Sequence, residues 1–205
     1  MRMRAFAACL LAAGWALAGS AKPPECSFAV SPRGGDSQVS KSGSGGLIRP
    51  VNSLSSLDNN RSKTITRNLK WLAEVRIRDN PPAKLEVKAY YIGEVDGGKS
   101  IKLLKDETRT LELDKGGRAS AEFTSPTTRL RKSRTSSYSS GNMGFRSTKK
   151  TISGERVVGC VMQLFGDGEL LKSWSSDSRW ASLANKAPFP VAELAKGKSG
   201  RIGLR

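Results

Sequence analysis

The chain has 205 residues, with 35 Lys and Arg against 18 Asp and Glu, a net charge of +17 and no histidine. A positive charge of this size attracts polyanions but says nothing about the fold. Without histidine, neither a Ser-His-Asp triad nor a Cys-His pair can form, and the commonest metal ligand is missing. These absences exclude most hydrolase and metalloenzyme classes. The sequence therefore predicts a protein that is not an enzyme, with no cofactor and no metal.

The N-terminal 21 residues have the pattern of a secretory signal peptide. Arg2 and Arg4 form a basic start, and the apolar run over 5–18 ends in the small-residue pattern Ala-Leu-Ala. This run is shorter than the roughly 20 residues that a membrane-spanning helix needs. We therefore expect residues 1–21 to be removed and the protein to be exported to a periplasm, a cell envelope or the medium.

Cys26 and Cys160 are the two cysteines that remain after such a cleavage. In an oxidising compartment they are most simply explained by one disulfide. Closure of so long a loop would stabilise the fold by roughly 4 kcal/mol on the loop-entropy model. The alternative is that Cys160 is a buried free thiol in an apolar strand and Cys26 lies in a tail. Two cysteines are also too few for a thiolate zinc site.

The chain divides into a polar leader and a region of strands. Residues 22–62 are rich in Ser, Gly and Asn, which predicts a flexible leader. Further on, LKWLAEVRIR and LEVKAYYIGEV alternate apolar and polar residues with the period of half-buried strands. ERVVGCVMQLF is apolar on both faces, as in a central strand, and a Gly-Asp-Gly hairpin leads from it into ELLKSW.

The C-terminal part predicts one short helix and then a tail. Residues 175–186 have a helical pattern with Ser176 or Asp177 as the N-cap, and residues 187–205 are basic and predict a poorly ordered tail. Seven or so short strands, with turns about every 8–12 residues, predict an all-β fold, an antiparallel β-sandwich over 63–186. Trp71 and Trp174 are its expected core aromatics.

The layout WLAEVRIRD…LEVKAYYI, followed by VVGCVMQLFGDGELLKSW and a short helix, resembles secreted bacterial proteins with an immunoglobulin-like or fibronectin-type-III-like sandwich. The resemblance covers about residues 68–185. It implies the sandwich fold and an exported location, and it brings no catalytic residues.

Paired carboxylates are the one catalytic arrangement that the composition leaves open, as in glycosidases. All but one of the candidates lie at outward positions of the predicted strands, next to Lys or Arg. The favoured interpretation is therefore solvated strand faces with cross-strand ion pairs. The candidates are Glu74, Glu86, Glu94, Glu112 and Glu122.

The stretch TRLRKSRTSSYSSGNMGFRSTKK, residues 128–150, is the best candidate for a binding site. It lies within the 32 residues between Glu122 and Glu155 that contain no acid. Arginine suits phosphate, sulfate and carboxylate groups, and the aromatic rings offer stacking surfaces. In a hairpin the two basic clusters would approach each other, whereas the alternative is a solvated, mobile loop. The candidate residues are Arg129, Arg131, Lys132, Arg134, Tyr138, Arg146, Lys149 and Lys150, with Phe145 as a second ring.

The favoured function is an exported, non-enzymatic β-sandwich module of the cell envelope that binds a protein partner or an anionic polymer. One alternative is a carbohydrate-active enzyme or its accessory domain, which requires two acids about 5–10 Å apart in a concave pocket lined by aromatics. The other is a secreted nucleic-acid-binding protein. The export signal argues against nucleic acid as the main partner.

Overall fold

The computed structural model describes residues 25–44, 59–139 and 145–194. Within these ranges the chain forms ten β-strands, one 3-10 helix and two short α-helices. The strands are β1 (Cys26–Gly34), β2 (Ser37–Ser44), β3 (Asn59–Arg67), β4 (Lys70–Ile77), β5 (Leu85–Val95), β6 (Ser100–Leu111), β7 (Arg118–Thr124), β8 (Thr128–Ser139), β9 (Phe145–Gly166) and β10 (Glu169–Ser175). The helical elements are the 3-10 helix Ser178–Trp180, α1 (Ala181–Ala184) and α2 (Val191–Leu194). The predicted signal peptide lies outside the described residues.

The strands form two antiparallel sheets that pack as a sandwich. The smaller sheet has the order β1-β4-β7, and the larger one has the order β2-β3-β8-β9-β5-β6, with β10 also paired to β9. The prediction of an antiparallel β-sandwich with a short helix near the C-terminus is confirmed. None of the helices in the described residues is long and apolar enough to span a bilayer.

The main core lies between the two sheets, where the predicted alternation holds. In β4, Trp71, Ala73, Val75 and Ile77 are buried while Glu74 and Arg76 between them are exposed. They pack against the inward residues of β5 and β9, and Trp174 is partly buried beside them. The inward residues of β5 are Leu85, Val87, Ala89 and Tyr91, and those of β9 are Cys160, Met162 and Leu164.

A second, smaller core covers the opposite face of the larger sheet. There Trp180, Phe189 and Leu194 pack against Ile92 and Val161. The short helix was predicted correctly, and Asp177 is the N-cap of the 3-10 helix that begins it. The Oδ1 atom of Asp177 accepts a hydrogen bond from the Arg179 backbone N–H at 2.9 Å. The predicted disordered tail is wrong for residues 187–194, because two apolar residues there are buried. Residues 195–205 lie outside the described part.

The predicted flexible leader is also corrected. Residues 26–34, 37–44 and 59–62 belong to β1, β2 and β3. In β1, Phe28 and Val30 are partly buried against the main core. In β2 and β3 the order comes from backbone pairing over a continuous register, which a count of apolar side chains does not detect. The rest of the predicted leader lies outside the described residues.

The expected disulfide is not formed, since Cys26 and Cys160 are both free thiols. Cys26 lies opposite Ile77, six residues along β4 from Trp71. The ring centroids of Trp71 and Tyr91 are 5.8 Å apart, and Tyr91 is the register partner of Cys160. Six residues of strand span about 20 Å, whereas a disulfide needs Cα atoms within about 7 Å. The two thiols therefore belong to different levels of one core.

Strand β9 has 22 residues and serves two parts of the molecule. Its residues 145–154 pair with β8, and its residues 155–166 pair with β5. The first part, with β2, β3 and β8, forms a four-stranded antiparallel extension that we call the arm. None of the arm's described residues belongs to either apolar core. Gly154 joins the two parts with a φ of +97°, a backbone angle that glycine adopts without strain.

Candidate anion-binding face

The four strands of the arm contain eleven Lys and Arg and no Asp or Glu. Strand β8 supplies four of these cations, β3 and β9 supply three each, and β2 supplies one. Because the strands are adjacent and in register, the absence of acid extends across the whole arm and not only along one stretch of sequence.

The register sorts these cations onto two faces. Directly opposed residues of antiparallel strands point to the same side of a sheet. Arg61, Arg134 and Lys150 form one such row, and a neighbouring row contains Lys41, Lys63 and Lys132. Arg67 follows on the same side. We call this side the cationic face, and the seven of its cations whose side chains are described are Lys41, Arg61, Lys63, Arg67, Lys132, Arg134 and Lys150.

The opposite side of the arm is mainly a surface of hydroxyl groups, which we call the hydroxyl face. One of its rows runs Ser42, Ser62, Ser133 and Thr151 across all four strands. Three cations interrupt it, namely Arg129, Arg131 and Lys149. Period-two alternation thus places adjacent residues such as Arg131 and Lys132 on opposite sides.

A shallow depression of about 570 Å³ marks the centre of the cationic face. The spacing of the cations around it follows from sheet geometry: neighbouring strands are about 4.8 Å apart, and alternate residues of one strand are about 6.7 Å apart. The two rows therefore present positive charges on a grid of that size. The cations that line the depression are Lys41, Arg61, Lys63, Lys132, Arg134 and Lys150.

None of the seven cations has a carboxylate within 4.0 Å among the described residues. The ion pairs that the described residues form lie instead in the sandwich and near its C-terminal helices. Arg156 donates to Glu94 at 2.7 Å, and Arg179 donates to Asp177 at 2.7 Å. Its hydrogen bonds with Arg179 lower the pKa of Asp177, which strengthens its charged form. The sandwich thus neutralises many of its cations, while the cations of the arm that the structure describes have no carboxylate partner.

The eight residues predicted from the sequence do not form one cluster. Lys132, Arg134 and Lys150 lie on the cationic face, whereas Arg129, Arg131 and Lys149 lie on the hydroxyl face. The two basic clusters do approach each other in the hairpin, but strand alternation divides their cations between the two faces. Tyr138 and Arg146 are register partners near the turn, and Ser139 pairs with Phe145, but their side chains lie outside the described part.

The stretch 128–150 is a strand hairpin in its described residues and not a loop. Ten successive register pairs join β8 to β9, from Leu130 with Gly154 to Ser139 with Phe145. The hairpin interpretation is therefore confirmed for these residues. The tip, 140–144, lies outside them.

Sequence reasoning missed the four cations that β2 and β3 add to the face. Lys41 and Arg61 were assigned to the flexible leader, and Lys63 and Arg67 were not singled out within the predicted sandwich, although NNRSKTITR contains a usable signal. In it Arg61, Lys63, Ile65 and Arg67 alternate with Ser and Thr, which is the period of a strand. Thr is also a residue that favours strands.

The five candidate glutamates are spread over the sandwich. Glu86 pairs with Lys84 at 2.7 Å, which lowers the pKa of Glu86, and Glu94 pairs with Arg156. Glu74 and Glu112 line a depression of about 470 Å³ together with Asp114 and two arginines, without an aromatic ring in its lining. Glu122 is exposed. In the described residues no group of three His, Cys, Asp or Glu is placed to hold a metal ion.

Comparison of the chain with protein-family models, with curated proteins and with solved structures finds no match. The resemblance to immunoglobulin-like secreted proteins therefore stays a prediction.

Proposed function

We propose that this chain is an exported, non-enzymatic module of the cell envelope that binds an anionic polymer on the cationic face of its arm. One observation carries the proposal: seven cations lie on the same side of four adjacent strands, β2, β3, β8 and β9. None of them has a carboxylate partner among the described residues. The like charges on this face repel one another, and a bound polyanion would reduce that repulsion.

The shape of the face favours a polymer over a single small anion. Three interstrand spacings cover about 14 Å, and two rows of cations run side by side across the strands. A linear chain with phosphate, sulfate or carboxylate groups that repeat every few ångströms contacts several cations at once. Three of the seven are arginines, whose planar fork binds such groups with two parallel hydrogen bonds.

The location and the absence of catalysis rest on the sequence. Residues 1–21 predict export, and a chain without histidine lacks the usual general base near neutral pH. An exported binding module meets the acidic glycans and phosphate-containing polymers of an envelope before it meets nucleic acid.

Two triple variants test the proposal because they remove the same charges from opposite sides of the arm. Arg61→Ser, Arg134→Ser and Lys150→Ser remove a row of the cationic face. Arg129→Ser, Arg131→Ser and Lys149→Ser, the matched control, remove two arginines and one lysine from the hydroxyl face. We expect the first triple to weaken binding of inorganic polyphosphate about 10- to 100-fold and the second to weaken it less than about 3-fold.

The salt dependence gives a second readout of the same variants. Each lost contact reduces the slope of log K against log salt by about 0.7 for a flexible polyanion. The first triple should thus lose about 2 units of slope, and the control almost none. Equal losses for the two triples would show that binding follows net charge alone and would contradict the proposal.

Nucleic acid and an acidic protein surface compete for the same cationic face. Single-stranded DNA that bound far more tightly than polyphosphate of equal charge would favour the nucleic-acid alternative, because stacking on rings adds affinity beyond charge. Similar affinities for the two would support a site that recognises charge spacing.

A further inference from the structure

A second depression, of about 400 Å³, lies at the base of the arm, and we call it the junction cleft. It exists because two strands share one edge of β9 without meeting. Strand β8 pairs with β9 as far as Gly154, and β10 pairs with it only from Val161 onward. The chain around Asp177 and Arg179 closes the far side. Its lining residues are Ile65, Arg67, Thr128, Leu130, Lys132, Glu155, Arg156, Val157, Val158, Asp177 and Arg179.

Four of the residues that line the cleft are aliphatic. Ile65 and Leu130 come from the arm, and Val157 and Val158 come from β9. Leu130 is buried, and the other three are partly buried. Aliphatic side chains that line an open cleft are a surface from which an apolar ligand displaces water.

The charged rim of the cleft is positive once its internal ion pairs are removed. Glu155 is paired with Lys102, Arg156 with Glu94, and Arg179 with Asp177. Arg67 and Lys132 have no carboxylate within 4.0 Å among the described residues. Two uncompensated cations thus lie beside aliphatic residues in the lining of one cleft, an arrangement that fits an acidic group joined to a hydrocarbon.

The junction cleft is continuous with the cationic face, because Lys132 lines both depressions. We propose that the cleft takes an alkyl or acyl chain whose acidic group is held by Arg67 and Lys132, and that the ligand is an acidic amphiphile. This inference rests on the proposed function and narrows its ligand: the anionic polymer carries a hydrocarbon anchor, and the anchor enters the cleft. The volume of the cleft lies within the range of ordinary ligand sites.

Three probes separate the hydrocarbon from the charge. Dodecyl phosphate below its critical micelle concentration, ethyl phosphate and inorganic polyphosphate are each titrated into the full chain and followed by calorimetry. We expect dodecyl phosphate to bind at least about 100-fold more tightly than ethyl phosphate, because each buried methylene strengthens binding several-fold. Equal affinity of the two phosphate esters would overturn the proposal of an apolar cleft.

Two conservative variants locate the hydrocarbon. Ile65→Thr makes one wall of the cleft polar and keeps a β-branched residue in the strand. Val39→Thr is the matched control, because Val39 is the register partner of Ile65 but does not line the cleft. We expect the first to weaken dodecyl phosphate about 5- to 10-fold and the second to leave it unchanged, with polyphosphate unaffected in both.

The outcomes distinguish the two proposals. If both variants weaken the binding of dodecyl phosphate equally, its hydrocarbon binds elsewhere on the protein. The cleft proposal then fails while the polymer proposal stands. If polyphosphate does not bind the wild-type chain, the polymer proposal fails whatever dodecyl phosphate does. Thermal unfolding of both variants checks that the arm is intact, and Arg67→Ser, at an exposed position, should weaken both phosphate esters without any change in the core.

Discussion

At the scale of single residues, alternate positions of a strand point to opposite sides of the sheet. The side to which a residue points decides what it contacts more than its charge does. Lys132 borders both the cationic face and the junction cleft, while its neighbour Arg131 lies among hydroxyl groups on the other side. Cys160 shows the same dependence on direction. It points into the main core, where burial raises the pKa of its thiol and keeps it protonated and unreactive.

The free thiols lead to a prediction for Cys26. Burial raises the pKa of Cys26 also, although it is only half-buried. Cys26→Ser should lower the free energy of unfolding by less than about 1 kcal/mol, whereas loss of a bridge that closed this loop would lower it by roughly 4 kcal/mol. Urea denaturation of the wild type with and without dithiothreitol is the control. A large drop in stability on reduction would show that the two cysteines are bridged.

At the scale of elements, one glutamine joins the C-terminal helices to the larger sheet. Gln163 of β9 is fully buried, and its Nε2 donates to the carbonyl oxygens of Ala184 and Lys186, both at 2.7 Å. These carbonyls close the end of α1, where a helix leaves its last acceptors unpaired. The Oε1 atom of Gln163 is buried without a partner among the described residues.

We expect Gln163→Leu to lower the free energy of unfolding by about 1–3 kcal/mol, because a buried and a partly buried carbonyl lose their donor. The loss is partly offset, since the unpaired Oε1 also disappears. Gln38→Leu on the exposed edge strand β2 is the matched control and should stay within about 0.5 kcal/mol of the wild type. Chemical denaturation measures both. Wild-type stability of the Gln163 variant would mean that the unpaired oxygen cancels the two hydrogen bonds.

At the scale of the whole molecule, the arm and the sandwich are held together by different forces. The sandwich buries two apolar cores, one on each face of the larger sheet. The described residues of the arm take part in neither core, so backbone pairing and the shared strand β9 carry most of its stability. Uncompensated cations on one side oppose this pairing further.

Hydrogen exchange should therefore divide β9 into two segments. We expect the amides of residues 145–154 to exchange at least about 10-fold faster than those of 161–166, because local opening costs less where few apolar contacts are lost. Mass spectrometry of peptides from either side of Gly154 measures the difference. Uniform protection along all of β9 would show that the arm opens only together with the sandwich.

The sandwich was predictable from the sequence because its strands carry at least one buried side each. Trp71 to Ile77 and Leu85 to Tyr91 alternate as a half-buried surface requires. The arm was predictable only in part. Both its faces meet water, so β2 and β3 show no apolar alternation, and their pairing with β8 depends on residues far along the chain. Sequence distance likewise hid the junction cleft, because its lining includes Ile65 and Val157, which lie far apart along the chain.

The open edge of the arm has a consequence for solubility. Strand β2 is the last strand of its sheet, with a nearly uniform row of exposed side chains, and such an edge can pair with the same edge of another copy. Lys41 stands on that edge, and the cationic face behind it repels a second copy. Neutralisation of the face, whether by substitution or by a bound polyanion, would remove this repulsion, so the charges that we propose to bind a polymer would also keep the protein from aggregating through β2.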